Sequence, residues 1–249
     1  NSDPLAVRVL DMESAFELYA NGRRIASNGT VGRSAAEEIP EWKPLVSLLP
    51  QAEETNLVLV VSNFHHRLGG IWQGLRLGKA EHMFTAQRDA TALELFLAGS
   101  LLMIAVYHCM VFFVRRQEKV FLLLGIFCSI MALRTLVTGE RYLVHLFPAM
   151  SWDLLIRLDY LTVSIGMVVN HWQLRIVFQK YYNRFVFLAL AIIFGACAFA
   201  EIVLPPKIFS HLLSVHSIVV ALWSVYFLVI SFIAMIRRMP GAAVIWAGW

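Results

Sequence analysis

Five long apolar runs, separated by short basic or proline-bearing turns, constrain this chain more than any other feature. They cover about 93–114, 120–137, 154–177, 185–204 and 208–236, and a sixth begins near 241. A helix needs roughly 20 apolar residues to cross the hydrocarbon core of a bilayer, and each run approaches or exceeds that length. Pro205-Pro206 divides the fourth run from the fifth, and Pro240-Gly241 precedes the sixth, because proline cannot continue a helical hydrogen-bond ladder. Phe185–Leu204 reads as the cleanest span, while Leu154–Val177 carries Asp159, Asn170, His171, Gln173 and Arg175. Of the 249 residues, 59% are hydrophobic and 15% charged, with mean hydropathy +0.66, against roughly 45–50% and 25% in a soluble domain.

Lysines and arginines orient such spans, since short positively charged loops stay cytoplasmic. One set of turns holds Arg115, Arg116, Lys119, Arg175, Lys180, Arg184, Arg237 and Arg238, and the opposite set holds only Arg141, Arg157 and Lys207. The bias alternates with every run, so the segment before the first run is expected outside the cytoplasm. The net charge of +4 therefore reports a membrane pattern rather than a nucleic-acid surface. The expected partner is the lipid bilayer, with no nucleic acid. Cys109, Cys128 and Cys197 all lie in apolar runs, which excludes a disulfide framework outside the membrane and any Cys/His metal spacing. No cofactor is expected. Because the chain starts at Asn1 and its last apolar run is incomplete, it reads as a fragment of a longer protein.

Before the first run the period changes to two. "LAVRVLDM" and "AFELYANGRRIASNG" alternate apolar and polar residues, and Asn21-Gly22 is the pair best suited to a two-residue hairpin turn. "NLVLVVSN" is apolar on both faces, as expected of a central strand, and "GGIWQGLRLG" supplies a further strand leading to the first span. Residues 1–89 are thus expected to form a β-sandwich and 91–249 a polytopic helical bundle. The connector "KAEHMFTAQRDATA" is short enough for the two parts to move together.

"FELYANGRRIASNGTVGRS", "VSNFHHRLGGIWQGLRLG" and "GERYLVHLFPAMSWDLLIRLDYL" resemble the bacterial seven-transmembrane receptors with diverse intracellular signalling modules. The resemblance implies an extracytoplasmic jelly-roll sandwich of galactose-binding type, here lacking its first strands, ahead of seven helices in the inner membrane. It implies a receptor for a small extracytoplasmic ligand, carbohydrate among the candidates, and is compatible with a homodimer. An output domain such as a histidine kinase, cyclase or phosphatase would follow the last residue, leaving this region itself without enzymatic activity. The rival reading is a transporter or polytopic membrane enzyme with a capping domain. It requires intramembrane carboxylates or histidines along a pathway and helices broken near the midplane. The runs have no central proline, and Gly125, Gly166 and Gly195 stand alone.

His65-His66 invites a metal or catalytic reading, yet no carboxylate or cysteine lies at ligand spacing and no nucleophile motif accompanies the pair. Two readings remain. One is a polar turn at the sandwich rim, bonded to backbone. The other is ligand contact by His65, His66, Arg67 and Trp72, joined by Arg33 from "NGTVGRS", which offer hydrogen bonds and a flat apolar face. "NGTVGRS" lacks the lysine of a phosphate loop and reads as a turn, and Asn28-Gly29-Thr30 matches a glycosylation signal only by chance.

Within the runs, His108 and Asn170-His171 fall at similar depth, and His108 with at least one of Asn170 and His171 is expected to point into the bundle. Arg134 and Asp159 also come to nearly equal depth, in the outer leaflet. They are expected either to pair, fixing the register of the second and third spans, or to leave Arg134 reaching for the headgroups.

Overall fold

The alternating stretches ahead of residue 80 form six antiparallel strands in two sheets. They are β1 (Leu5–Val9), β2 (Ala15–Ala20), β3 (Arg23–Asn28), β4 (Leu45–Leu48), β5 (Leu57–Ser62) and β6 (Arg76–Lys79). The computed structural model describes residues 3–239 with 241, 242 and 246, so the expected sixth span lies almost wholly outside the described residues. The strand orders are β4-β1-β6 and β3-β2-β5. Successive side chains on a strand point to opposite faces, so Val7 and Val9 from one sheet meet Phe16 and Leu18 from the other. Met12 completes this buried core, with Ile25, Leu45, Leu59, Val61 and Leu75 around it.

β2 and β3 turn at Asn21 (φ 50°) and Gly22 (φ 80°), as the Asn-Gly pair predicts, with Ala20 opposite Arg23. The register shifts between Leu18 and Tyr19, passing over Ile25 of β3, and Tyr19, outward by alternation like Glu17, donates its hydroxyl to Glu17 at 2.6 Å. That bond, helped by Arg24, holds the Glu17 carboxyl below its ordinary value. Two strand expectations need correction. β5 is an edge strand among the described residues, pairing with β2 alone, and Leu57, Val58 and Val60 are 40%, 55% and 40% exposed. An apolar run on both faces marks little polar character, but it does not say that both edges are hydrogen-bonded. "GGIWQGLRLG" becomes a strand only from Arg76, and the residues before it form an irregular loop.

β6 passes without a break into α1 (Ala80–Val114), a single helix of 35 residues that absorbs the connector. The remaining helices are α2 (Lys119–Val137), α3 (Tyr142–Leu146), α4 (Trp152–Val177), α5 (Arg184–Val203), α6 (Pro206–Phe209) and α7 (Leu212–Ile236). Asn183 starts α5 by accepting the Phe185 amide at 2.8 Å. α1, α2, α5 and the stretch Pro206–Ile236 are long and apolar enough to cross a membrane. α4, at 26 residues, is long enough, but its charged and amide side chains keep it out of that set.

The chain divides into two compact units. The first takes the described part of Asn1–Ser100 with Ala132–Asp159 and Pro205–Ser210, and the second takes the rest. In the second unit, Leu174, Phe178 and Tyr182 pack on Trp223, Phe227, Ile230 and Ala234. Gly125 lets α2 approach α1 closely: a Cβ there would lie 2.8 Å from the Cys109 sulfur and 3.1 Å from the Ala105 carbonyl.

A side chain at Gly22 would meet nothing within 4 Å, so its substitution tests backbone conformation alone. Gly22→Val is expected to cost ~1–2 kcal/mol, read as a lower apparent melting temperature in detergent. Asn21→Gly should leave that temperature nearly unchanged, because glycine accepts positive φ.

Candidate functional site

The turn after α2 bends through Gly139 and Arg141, both at positive φ (60° and 53°), and carries its polar groups onto the first sheet. Arg8 and Val9 are neighbours on β1, so when Val9 enters the core Arg8 must point the other way. There it forms a buried ion pair with Glu140. The Glu140 amide in turn donates to Glu94 of α1 at 2.9 Å. The Arg141 guanidinium lies over the Trp42 ring, 3.3 Å from its centre, and 3.8 Å from the Asp11 carboxylate. Asp11 also accepts the Trp42 indole N–H at 2.7 Å. Burial pushes the Asp11 carboxyl up, with Arg141 opposing it, and burial pushes the Arg141 guanidinium down against the pull of Asp11.

Beside this cluster the same unit forms an open cavity of about 590 Å³, within the size of small-molecule sites. Its walls come from the β3–β4 loop (Ala35, Glu38, Ile39, Glu41, Trp42), from His65, and from the segment entering α4 (Met150, Ser151, Trp152, Asp153). The β3–β4 loop is fixed by the Thr30–Ile39 bridge, by Gly29 donating to Glu41 at 3.0 Å, and by Gly32 donating to Ser62 at 3.2 Å. Asp153 is held by Arg157 at 2.7 and 3.2 Å, and Arg157 faces the Phe209 ring at 5.3 Å.

The expected rim residues separate. His65 lines the cavity, with Nε2 3.0 Å from the Ala35 carbonyl and its ring edge-on to Trp152 at 6.3 Å. His66 faces away: it is 3% exposed, with Nδ1 2.9 Å from Glu13 and 2.8 Å from the Leu68 carbonyl. His66 is thus tied to Glu13 and to its own loop, whereas His65, in the same run of bends, reaches the cavity. The Arg67 amide donates to Ser210 at 3.2 Å, and its guanidinium stands 5.7 Å from the centre of the exposed Trp72 ring. Neither lines the cavity. Arg33 is exposed two residues from Ala35, its amide donating to Glu37 at 2.9 Å. Sequence reasoning missed Glu38, Trp42 and Trp152 as cavity residues and counted Arg141 only as a loop charge. Two tryptophans near charged residues were the available signal.

Among the polar residues of the spans, Arg134 donates to Asp159 at 3.1 Å and to its backbone carbonyl at 2.9 Å, the pairing alternative of the two expected. His171 is fully buried, stacked on Trp223 at 4.9 Å and edge-on to Phe194 at 5.9 Å. His108 is half-buried, with Nδ1 2.9 Å from the Ile104 carbonyl and its ring 6.1 Å from Phe121 of α2. Asn170 is also half-buried. The second unit holds a further cluster absent from the sequence reading, in the span taken as cleanest. Ser164 of α4 donates to Glu201 of α5 at 2.9 Å, and its oxygen is 2.9 Å from His216 of α7. Glu201 and His216 are 3.3 Å apart. Three helices are thus joined by one buried polar knot. One carboxylate in a run of 20 apolar residues is easy to overlook.

Arg134→Asp and Asp159→Arg, made singly, are each expected to lower stability by ~1–3 kcal/mol, a buried-pair penalty discounted for the partial exposure of Arg134. The double exchange should recover most of that loss in apparent melting temperature. If the losses simply add, the pair does not stabilise the fold.

Neither the curated proteins nor the solved structures give a match to this chain. A family model does match: that of the 7TM diverse intracellular signalling family, over residues 90–249. The match takes in α1 from residue 90 onward and all of the other membrane-capable helices, and it covers well over half of the chain. The protein is accordingly a multi-pass membrane protein belonging to the 7TM diverse intracellular signalling family.

Proposed function

We propose that this region is the sensing and membrane-crossing part of a bacterial inner-membrane receptor. Its sheets form an extracytoplasmic domain of jelly-roll type that takes a small ligand, and an output module beyond the last helix answers on the cytoplasmic side. The carrying observation is that the sheets share one compact unit with the turn after α2 and with Pro205–Ser210. These are the turns poor in lysine and arginine. The basic turns around Arg115, Lys180 and Arg237 fall in the second unit. A common side for the sheets and the basic-poor turns agrees with an extracytoplasmic sensor.

The same observation bears on α4. The chain leaves the sheet-bearing unit after Asp159, within α4, and returns to it at Pro205, after α5. Two crossings or none satisfy that parity, and α5 is apolar enough to cross. α4 then crosses as well, its charges tolerated because Arg157 is paired with Asp153 and Arg134 with Asp159. The continuity of β6 with α1 supplies the joint through which ligand binding biases the helices. Any such bias requires different affinity for two helix arrangements. A transporter reading finds no support in the helices, since α1, α2, α4, α5 and α7 each run unbroken.

Single cysteines in a background without Cys109, Cys128 and Cys197 test the arrangement. In intact spheroplasts an impermeant thiol reagent is expected to label positions 53 and 149 and to spare 117 and 180. Labelling at 180 would remove α4 from the membrane, and labelling at 117 would invert the receptor.

A further inference from the structure

The passage from α1 into α2 carries Gln117, Glu118 and Lys119, and the end of α4 with the turn after it brings Trp172, Arg175 and Gln179 beside them. Trp172 and Arg175, three apart on α4, share a face of that helix. Between the two stretches, both in the second unit, lies an open cleft of about 550 Å³. Its one carboxylate among the described residues, Glu118, is answered by Arg115 at 3.6 Å. Lys119 is exposed and meets no carboxylate among the described residues. Arg175 is half-buried, its guanidinium 4.4 Å from the centre of the Phe187 ring and without an oxygen partner among the described residues. Trp172 is 50% exposed and lies about 4.5 Å along the helix from Arg175, toward the middle of α4. The cleft therefore pairs two uncompensated cations at its mouth with an exposed indole one step deeper.

The geometry points to an anionic phospholipid as the ligand of this cleft. Lys119 and Arg175 supply two positive charges for the phosphodiester, and the donor fork of Arg175 fits its oxygens. Gln117 and Gln179 have amide groups to donate to headgroup hydroxyls. Trp172 marks where the acyl chains begin, because an aromatic ring with a polar edge settles at the boundary of headgroup and hydrocarbon. A soluble phosphate would use the cations and leave Trp172, Val120 and Ile176 without a part. A zwitterionic lipid with the same chains brings its own cation and gains less from Lys119 and Arg175. The site goes beyond the receptor reading, and binding does not depend on it: the orientation of the chain decides only which leaflet supplies the lipid.

The test uses the full chain in a non-ionic detergent, its apparent melting temperature followed as dioleoyl phosphatidylglycerol, dioleoyl phosphatidylcholine or inorganic phosphate is added. Phosphatidylglycerol is expected to raise that temperature saturably, by on the order of 5 °C at a hundredfold excess over Kd, and the other two by less than half as much. Lys119→Gln with Arg175→Gln should remove most of the rise that phosphatidylglycerol alone produces. Arg237→Gln with Arg238→Gln, an equal loss of charge outside the cleft, should keep it. Should the first pair fail to fold, Gln179→Trp fills the cleft from an exposed position with both cations in place, and is expected to remove the rise likewise. The proposal is overturned if phosphatidylcholine stabilises equally or if phosphate alone reproduces the rise. It is overturned too if the Arg237 and Arg238 exchange removes as much as the Lys119 and Arg175 exchange, or if either cleft variant keeps the full wild-type response.

Discussion

Charges held away from water must find partners, and in this protein that requirement organises the sheet-bearing unit. Arg8 points out of the core because Val7 and Val9 point in, and its guanidinium is acceptable there only because Glu140 meets it. Arg141 is confined further, pressed on the Trp42 ring with Asp11 alongside. Removing one member of a buried pair typically costs ~3–5 kcal/mol, so these contacts behave as fasteners rather than as decoration. The turn after α2, the outer face of β1 and one wall of the cavity all take their positions from them. The strained φ of Arg141 fits the same account, since backbone strain persists only where the surroundings over-determine it.

Much of the fold was legible because simple periods announce it. Alternation located β1 and the β2–β3 hairpin, a continuous apolar run located β5, and Asn21-Gly22 located the turn. Apolar length located every long helix. What alternation could not convey is adjacency: β5 looks interior from its composition and lies at an edge. The candidate site was less legible. His65 was singled out together with His66, though only the first reaches the cavity, because a pattern of residue types does not reveal which face a loop residue takes. Glu38 and Trp152 come from segments 114 positions apart, a juxtaposition that no local window can register. Arg134 and Asp159 were readable for the opposite reason, since helical rise fixes depth and consecutive spans tend to be neighbours.

The intramembrane polar groups divide by what they accomplish. On the proposed crossing of α4, the pairing of Arg134 with Asp159 lowers the cost of carrying that carboxylate into hydrocarbon. Ser164, Glu201 and His216 tie α4, α5 and α7 at one point. Polar contacts of this kind are modest individually, yet they specify which helices meet and in what rotation, where Leu and Phe alone would pack in many ways. A receptor that works by choosing between helix arrangements needs that discrimination.

The unbroken passage from β6 into α1 has a consequence of phase. Each residue of an α-helix advances about 100° around the axis and ~1.5 Å along it. A residue inserted or deleted in the first turns of α1 would therefore rotate every later side chain of that helix about its axis relative to β6, besides changing its length. A change of seven residues, close to two whole turns, would nearly restore the facing while shifting the depth. The stretch from Ala80 onward thus sets an angle as well as a distance, and its length in residues is itself a structural parameter of the protein.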